Sequence, residues 1–535
     1  MIRLFKLTFV CSLLLVGSSA WSQYVLNKAN KEFELFNYSN AIPLYAEAYK
    51  SKPTLVAAER LAYSYASVFN YLQAEKWYAT AVEMPNTNPI NYLRYGEALQ
   101  QNSKFKEAKE QYIKYENTAK TMSVNINILK ASCDSAVYWM ANPIRVKFDN
   151  FDRINSKRSD WGSVSYDGGL VFSSDRDNSV LNASMGKDRP FFKFDTDNLP
   201  RENKYAWTGH DYLKLYYQKG TDTASVFPID AGTNYHVGPA SFTADEQEMY
   251  FTLTRIPDKK VKVKDTIETI RIEIYSSKKG ADGKWSKPSP FRYNNIVEWS
   301  VGDPFISADG KHLYFVSDMP VGFGGTDIYV CERNSDGSWN NAVNLKEINT
   351  LGNERSPMVG IDKYFYYSSD GNIGMGGLDI FKSEMVGLLA KNPKNLGYPI
   401  NSPQDDFFYN INGKDAGYLS SNRIGGHGSD DIYSFSKIET TAPVFNLTGR
   451  VLNAKSGLPI ANAVLKLTTQ SGQNVTSNSD QAGQYNFKLA PQTAYTISGE
   501  KINFDKVNAA LTTKDLVTST TLSKICCWCQ HWLSA

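Results

Sequence analysis

The chain has 535 residues, with 58 Lys and Arg against 55 Asp and Glu, which gives a formal net charge of +3. This length exceeds what one hydrophobic core supports, so we expect roughly three to five domains. Because the basic residues form no block or stripe, the sequence gives nucleic-acid binding little support.

The first residues have the three parts of a secretory signal. Arg3 and Lys6 provide a positive start, residues 7–16 form an apolar core, and mostly small residues follow at 17–22. We therefore predict a signal peptide over residues 1–22. No later stretch reaches about 18 consecutive apolar residues, so we expect an exported chain without a membrane-spanning segment.

Residues 23–142 carry a helical repeat. Small and aromatic residues recur at spacings of 33 and 34, at Ala41, Ala74 and Ala108 and at Tyr45, Tyr78 and Tyr112. This period is typical of tetratricopeptide repeats, in which these residues let two helices pack closely. We predict an all-α tetratricopeptide solenoid with a capping helix over residues 124–140, since a generic helical bundle would not repeat in phase. Such an array either presents a groove to a partner protein or serves as a spacer.

Residues 143–438 change to short aromatic strands in five recurring units. In the clearest unit, a strand from Val301 is followed by the turn Asp309-Gly310, a second strand, the turn Gly324-Gly325 and a third strand. We interpret Gly324-Gly325, and Gly376-Gly377 in the next unit, as turns with positive φ. A recurring β unit of this size indicates a propeller blade, and we predict a five-bladed β-propeller.

A shared phrase closes the third and fourth units, as Ile348-Asn349-Thr350 and Ile400-Asn401-Ser402. The fifth unit lacks the phrase, which instead precedes the first unit as Ile154-Asn155-Ser156. We infer that residues near 144–151 supply the missing outer strand of the fifth unit. Pairing the first strand with the last would close the ring and remove an exposed edge, which favours five blades over six.

Aspartates begin the third strand of three units, at Asp327, Asp379 and Asp431. With Asp309, Asp318 and Asp370 they suggest a metal site, but tight turns need Asp, and Asp side chains cap local backbone groups. We therefore interpret Asp327, Asp379 and Asp431 as structural repeat positions. We predict no metal site, no cofactor and no catalytic residue, since no G-x-S-x-G, H-E-x-x-H or P-loop motif occurs.

The first two units carry long inserts, at residues 178–210 and 256–271. Inserts in repeat proteins often collect on a binding face. The second insert holds a basic cluster that is our candidate for partner binding, formed by Lys259, Lys260, Lys262 and Lys264. A solvated hairpin is the alternative interpretation of the same lysines.

Residues 443–522 alternate strands with Gly and Pro turns, which predicts a β-sandwich of about seven strands. Residues 523–535 form an atypical tail that crowds Cys526, Cys527, Cys529 and His531 together. These are zinc-ligand types, but adjacent cysteines lack the spacing of a zinc knuckle. We interpret the tail as foreign or frame-shifted sequence.

Three resemblances follow from these motifs. The phrases around Ser307-Ala308-Asp309-Gly310 and Gly325-Thr326-Asp327-Ile328-Tyr329 resemble the WD40-like (PD40) repeats of Tol-system periplasmic propellers. Gly457-Leu458-Pro459-Ile460 and Asp480-Gln481-Ala482-Gly483 resemble the carboxypeptidase regulatory-like (transthyretin-like) domain. The order of parts resembles the OmpA family of Bacteroidetes envelope proteins, in the branch associated with type IX secretion and gliding.

The last resemblance implies a non-catalytic periplasmic scaffold, associated with the outer membrane, that binds envelope proteins, among them outer-membrane components. Two alternatives are a propeller-based hydrolase or lyase acting on an envelope polymer, and a surface-adhesion or ligand-sensing protein. The OmpA-like domain of that family is missing from this sequence. Peptidoglycan binding therefore cannot be carried over to it.

Overall fold

The structure is a computed structural model that describes residues 21, 23–121, 124–177, 204–256, 269–413, 415–438, 443–516 and 519–529. The chain divides into two compact units, with the boundary between Lys437 and Ile438. The predicted signal peptide lies outside the described residues except for Trp21. No helix in the described part is long and apolar enough to cross a membrane.

The first unit begins with antiparallel helices, each of which contacts the next from α2 onward. They are α1 (described over 23–34), α2 (Tyr38–Ser51), α3 (Leu55–Ser67), α4 (Tyr71–Glu83), α5 (Ile90–Gln101), α6 (Phe105–Thr118) and α7 (Ile126–Ala141). The side chains of Thr54 and Asn70 cap α3 and α4 by accepting from backbone N–H groups. These elements confirm a helical repeat region at the N-terminal side of the chain.

Small residues explain how closely these helices approach. A Cβ atom added at Gly96 of α5 would lie 2.5 Å from the ring of Tyr112 on α6, so only glycine fits there. Ala41, Ala74 and Ala108 are fully buried, at 0% exposure. The alanine positions of the sequence repeat are therefore positions of helix–helix contact.

Twenty strands of the first unit form five antiparallel sheets of four strands each among the described residues. Sheet 1 contains β2 (Asp160–Tyr166), β3 (Gly169–Ser174), β4 (Lys214–Gln218) and β5 (Ser225–Val226). Sheet 2 contains β6 (Val237–Phe242), β7 (Glu248–Thr254), β8 (Ile272–Lys278) and β9 (Ser289–Pro290). Sheet 3 contains β10 (Val301–Ile306), β11 (His312–Ser317), β12 (Asp327–Glu332) and β13 (Val343–Asn344).

Sheet 4 contains β14 (Glu354–Val359), β15 (Phe365–Ser369), β16 (Asp379–Val386) and β17 (Leu389–Asn395). Sheet 5 contains β18 (Asp406–Gly413), β19 (Ala416–Ser421), β20 (Asp431–Lys437) and, as its fourth strand, β1 (Val146–Asn150). Strand β1 pairs antiparallel with β20, from Val146 opposite Lys437 to Asn150 opposite Tyr433. The prediction that residues near 144–151 complete the fifth unit is confirmed.

The first strands of the five sheets contact one another in a cycle. Strand β2 contacts β6, β6 contacts β10, β10 contacts β14, β14 contacts β18, and β18 contacts β2. We call these five strands the strand ring, although none of the five sheets is itself closed. Apolar clusters fill the spaces between neighbouring sheets; between sheets 5 and 1, Ile432 packs with Leu170 and Phe172.

The paired glycines allow two backbones to approach closely and do not form the predicted positive-φ turns. Gly324, Gly325, Gly376 and Gly377 do not adopt positive φ. A Cβ atom at Gly376 would instead lie 1.7 Å from the Pro403 carbonyl oxygen, and one at Gly324 would lie 2.4 Å from that of Thr350. The prediction of positive-φ turns was wrong, because the requirement here is close approach of two backbones.

The second unit is sandwich-like, with two sheets in the orders β24-β21-β27 and β23-β22-β25-β26. Its strands are β21 (Phe445–Asn453), β22 (Val464–Thr469), β23 (Asn474–Asn478), β24 (Gln484–Leu489), β25 (Ala494–Glu500), β26 (Val507–Thr512) and β27 (Thr520–Trp528). Strand β27 continues past the predicted boundary at residue 522, and Trp528 is fully buried in the core of this unit. Residues 530–535 lie outside the described part.

Candidate functional site

The helical array is bound to sheet 4 through the segment before β16. Gln100 Nε2 donates to the Met375 carbonyl oxygen at 3.2 Å, and the Gly374 N–H donates to Ser132 Oγ at 3.1 Å. Met375 is fully buried in an apolar cluster with residues of α5, α6 and α7. Since both hydrogen bonds are buried, this contact fixes the C-terminal part of the array against the sheets.

A second contact binds the array to sheet 1 through Trp207. The Trp207 indole Nε1 donates to the Ser67 carbonyl oxygen at 2.7 Å, and its ring meets that of Tyr38 edge-on at 4.8 Å. Ser39 Oγ donates to the Ala206 carbonyl oxygen at 2.8 Å. The segment around Trp207 thus holds the start of α2 and the end of α3, while the other contact holds α5 and α7.

The first helices of the repeats, α1, α3 and α5, share a polar and aromatic surface that we call the groove. The Arg60 guanidinium lies 5.0 Å from the Phe33 ring centroid, and its Nη1 donates to Asn30 Oδ1 at 2.9 Å. The Arg94 guanidinium lies 5.8 Å from the Tyr63 ring centroid. Each arginine is therefore held by an aromatic ring on the neighbouring helix, and the Arg94 side chain remains 43% exposed.

All five strands of the strand ring contain the same β-bulge, where the register with the second strand of the sheet shifts. A residue with positive φ occupies each bulge: Gly162, Gly238, Asp303, Ser356 and Phe408. Glycine adopts this conformation freely, whereas Asp, Ser and Phe do so at a cost on the order of 1–3 kcal/mol each. Three of the five positions therefore retain a side chain that the backbone alone disfavours.

Two of these bulge residues take part in a charged contact between neighbouring strands, Asp303 through its carboxylate and Ser356 through its backbone N–H. Arg355 donates to the Asp303 carboxylate from Nε at 2.7 Å and from Nη2 at 3.1 Å, and the Ser356 N–H donates to the same carboxylate at 3.1 Å. The Asp303 carboxylate accordingly raises the pKa of Arg355. Only 5% of the Asp303 side chain is exposed, against 37% for Arg355. The guanidinium therefore faces open space beside the strand ring.

Other carboxylates lie near Arg355, since Asp405 and Asp430 also add to its raised pKa, and we call this region the ring opening. Burial raises the pKa of Asp430 to about 7, and Asp405 and Asp175 add to the shift. Burial likewise raises the pKa of Asp405, with Asp406 and Asp370 contributing. These shifts show a chain of carboxyl groups close enough to interact, from Asp175 through Asp430 and Asp405 to Asp370.

The array borders the ring opening. Tyr71 at the start of α4 donates its hydroxyl to Asp405 Oδ2 at 3.5 Å. Burial raises the pKa of Glu97 on α5, although 36% of its side chain is exposed, and Asp370 adds to the shift. Glu97 also pairs with Arg94 of the groove at 3.0 Å, so it lies between that arginine and the carboxylate of Asp370.

The structure places the predicted repeat residues in structural positions. Tyr45, Tyr78 and Tyr112 are at most 2% exposed within the array. Asp327 Oδ2 accepts from the Phe323 N–H and Asp379 Oδ2 from the Met375 N–H, each at 2.6 Å, while Asp431 accepts from the His427 N–H. Each aspartate thus caps the loop before its own strand. No group of three metal-ligating side chains occurs among the described residues.

Other groups of interest do not coincide with the predictions. Lys259, Lys260, Lys262 and Lys264 lie outside the described residues. Trp207, Arg355 and Asp405 were not singled out from the sequence, and their partners Ser67, Asp303 and Tyr71 are distant along the chain. The one available signal was that Trp207 belongs to the first insert, where repeat proteins often carry binding residues.

Residues 446–522 match the family described as the carboxypeptidase regulatory-like domain, which confirms that part of the expected architecture. No curated protein matches the chain. Yeast Tom70 is 18% identical with a TM-score of 0.22 over 24% of this chain, which spans 27% of the Tom70 structure.

A thermostable family-43 glycoside hydrolase is 12% identical, with a TM-score of 0.31 over 56% of this chain and 92% of that one. An α-L-arabinofuranosidase from Lactobacillus brevis is 10% identical, with a TM-score of 0.32 over 54% of this chain and 94% of that one. At these TM-scores none of the likenesses supports an argument about this chain.

Proposed function

We propose that this protein is a non-catalytic scaffold that binds partner proteins of an envelope machine in the periplasm, in association with the outer membrane. The compartment rests on the export signal predicted at residues 1–22 and on the resemblance to OmpA-family envelope proteins of Bacteroidetes. On that resemblance alone we assign the partners to the type IX secretion and gliding machinery.

We also propose that sheets 1–5 are the blades of a five-bladed β-propeller. The cyclic contacts of the strand ring support this arrangement, as does the addition of β1 to sheet 5. The bulge that recurs in every first strand supports it as well, because equivalent strands in a radial repeat share their local geometry. A propeller would give the array a rigid base.

The observation that carries the scaffold proposal is how the array is held. Trp207 and Met375 bind its two ends to the sheets, while Arg60, Tyr63 and Arg94 of the groove stay partly exposed. A groove fixed in this way binds a segment without first being ordered, which lowers the entropic cost of association. The arginines, already oriented by aromatic rings, present N–H donors to the carbonyl and carboxylate groups of a bound segment.

The proposal is tested by affinity capture from envelope fractions with the full chain, followed by mass spectrometry of the recovered proteins. We expect outer-membrane proteins to be recovered by the wild-type chain and lost with the double variant Tyr63→Ala, Arg94→Ala. Aromatic and arginine residues dominate interface energetics, so a reduction of about tenfold or more is expected.

The matched control is the double variant Tyr138→Ala, Lys106→Ala, which removes one aromatic ring and one cation from exposed positions on α7 and α6. It should recover the same proteins as the wild type. Recovery of the same proteins by the groove variant, or of no envelope protein by the wild type, would overturn the proposal.

A further inference from the structure

We propose that an exposed apolar surface on sheet 3 binds a helix of a partner protein. We call this surface the sheet-3 patch, and it is formed by Val321, Phe323 and Leu351. The patch is separate from the groove, so binding here goes beyond the proposed function. Its basis is a difference between two equivalent loops, one covered by helices and the other exposed.

The loop before the third strand is built in the same way in sheets 3 and 4. Asp327 accepts from the Phe323 N–H and Asp379 accepts from the Met375 N–H, each at 2.6 Å and each from four residues earlier in the chain. A pair of glycines follows both Phe323 and Met375. These two residues therefore occupy equivalent positions in equivalent loops.

In sheet 4 the loop is covered by the helical array. Met375 is 0% exposed and belongs to the apolar cluster of α5, α6 and α7. Its carbonyl oxygen accepts from Gln100 Nε2 at 3.2 Å, and the Gly374 N–H donates to Ser132 Oγ at 3.1 Å. Helices that carry small and amide side chains thus bind a loop of this construction.

In sheet 3 the equivalent loop is not covered by any described residue. Phe323 is 48% exposed, Val321 79% and Leu351 78%. No donor among the described residues bonds to the Phe323 carbonyl oxygen. Residues 319–326 and 348–353 include no charged side chain. Exposed apolar side chains grouped on an uncharged surface mark an interaction site.

The sheet-3 patch adjoins the loop that holds the array. A Cβ atom at Gly324 would lie 2.5 Å from the Leu351 carbonyl oxygen, so Leu351 lies directly beside the loop of sheet 3. A Cβ atom at Gly352 would lie 2.6 Å from the Cα atom of Gly371, at the start of the equivalent loop of sheet 4. A helix on the patch would therefore extend the existing interface from sheet 4 to sheet 3.

The chemistry of the patch specifies the helix that fits it. An uncharged, apolar surface favours the apolar face of an amphipathic helix over a charged ligand. The unbonded Phe323 carbonyl oxygen needs a donor such as the amide that Gln100 supplies to Met375. Small residues, like Ser132 and Ala136 of α7, let a helix approach a loop closely. The occupant is thus a partner helix with small residues and an amide or hydroxyl donor on one face.

The test uses the purified full chain and a helical peptide taken from α7. The probe is a fluorescein-labelled peptide of residues 125–142, in which a hydrocarbon staple joins positions 134 and 138 to hold the helix. Both positions are exposed in the array, whereas Ser132, Cys133 and Ala136 are buried. We expect saturable binding by fluorescence anisotropy, weakened about tenfold or more in Phe323→Ser and in Leu351→Ser.

The matched control is Ile361→Ser, which removes an aliphatic side chain that is 65% exposed in the turn between β14 and β15. This turn is at the opposite end of the strands from the covered loop of sheet 4, so the variant should bind the peptide as the wild type does. A stapled peptide with Ser132→Arg and Ala136→Arg should not bind, because its small face is filled.

No binding by the wild type, or equal affinity in the wild type and both patch variants, would overturn the inference. Self-association that depends on Phe323 in sedimentation velocity would also overturn it, since a second copy would then occupy the patch. Binding to phosphatidylglycerol vesicles that depends on Phe323 would do so in favour of a membrane surface.

The sheet-3 patch and the groove are tested independently. The groove variant Tyr63→Ala, Arg94→Ala should bind the stapled peptide with wild-type affinity. If peptide binding fails while the groove still captures envelope proteins, only this inference is lost. If capture fails while the peptide binds the patch, only the proposed function is lost.

Discussion

Asn155 holds Ile432 through both atoms of its side-chain amide. The Ile432 N–H donates to Asn155 Oδ1 at 2.9 Å, and Asn155 Nδ2 donates to the Ile432 carbonyl oxygen at 2.8 Å, across 277 residues of chain. Asn349 makes the same pair of bonds to Ile328, and Asn401 to Ile380, but within 21 residues. The same asparagine contact is local in sheets 3 and 4, whereas in sheet 5 it joins the beginning of the strand region to its end.

Replacement of Asn155 should weaken this closure. Asn155→Ala leaves the N–H group of Ile432, a fully buried residue, without its partner, whereas the Ile432 carbonyl oxygen still accepts from the Phe151 N–H at 3.0 Å. An unsatisfied buried polar group costs about 1–3 kcal/mol. We expect the free energy of unfolding of the first unit to fall by about 2 kcal/mol, measured by urea denaturation. Asn340→Ala, at an exposed position in the same unit, should change it by less than about 0.5 kcal/mol. Equal effects of the two variants would contradict the closing role of Asn155.

Loss of Trp207 should release one end of the helical array. Trp207→Ala removes the hydrogen bond to the Ser67 carbonyl oxygen and the edge-on contact with Tyr38. We expect faster amide hydrogen exchange at the start of α2 and the end of α3, with α5 and α7 unchanged because Met375 still holds them. Hydrogen–deuterium exchange with mass spectrometry measures this.

Trp299→Ala is the matched control, since its indole Nε1 donates to a carbonyl oxygen within its own loop, that of Tyr293, at 3.0 Å. It should leave exchange in α2 and α3 unchanged. If α2 and α3 were as protected from exchange in the Trp207 variant as in the wild type, the contacts of Trp207 would not hold the array.

We expect Trp528 to stabilise the second unit. This expectation contrasts with the interpretation of residues 523–535 as foreign sequence. It is fully buried, and a Cβ atom at Gly499 would lie 2.3 Å from its ring. Trp528→Ala should destabilise this unit by about 3–5 kcal/mol. The comparison is Cys527→Ala, at the neighbouring exposed position, which should have little effect. Calorimetry of the full chain separates the two, and an unchanged transition in the Trp528 variant would favour a foreign tail.

Asp430 should make the stability of the first unit depend on pH. Its pKa in the folded chain is about 7, above the ordinary 3.8, so the folded state binds the proton more tightly than the unfolded state. The stabilisation that protonation of Asp430 provides is therefore fully present below pH ~4 and is lost as pH rises through 7. Over that range the free energy of unfolding falls by up to about 1.4 kcal/mol per pH unit. Glu354, with a pKa also raised to about 7 by burial, acts in the same direction.

Asp430→Asn removes this group without changing its shape. Urea denaturation between pH ~4.5 and ~8 should show stability falling less steeply in the variant than in the wild type. Asp282→Asn, at an exposed position, should reproduce the wild-type slope. If the free energy of unfolding depended on pH equally in the wild type and in Asp430→Asn, the pKa of Asp430 would not be raised in the folded chain.

The helices and strands were largely predictable because each depends on residues close together in the chain. Ala41 and its equivalents recur at the helical repeat period, and their burial follows from that spacing. Asp327, Asp379 and Asp431 cap loops within four residues of themselves. The pairing of β1 with β20 was predictable for a different reason. The sequence phrase that closes the third and fourth units is missing after the fifth unit and is present before the first.

The contacts between the helical array and the strand region, and the charged groups of the ring opening, were not predictable in this way. Trp207 meets Ser67 across 140 residues, Arg355 meets Asp303 on another strand, and Tyr71 meets Asp405 across 334 residues. A local pattern records the period of a repeat but not which surface of one repeat faces another. The sequence by itself therefore determined the repeating units and the closure of the fifth sheet. Only the tertiary structure decided that the array borders the strand ring, because that position depends on packing between residues far apart in the chain.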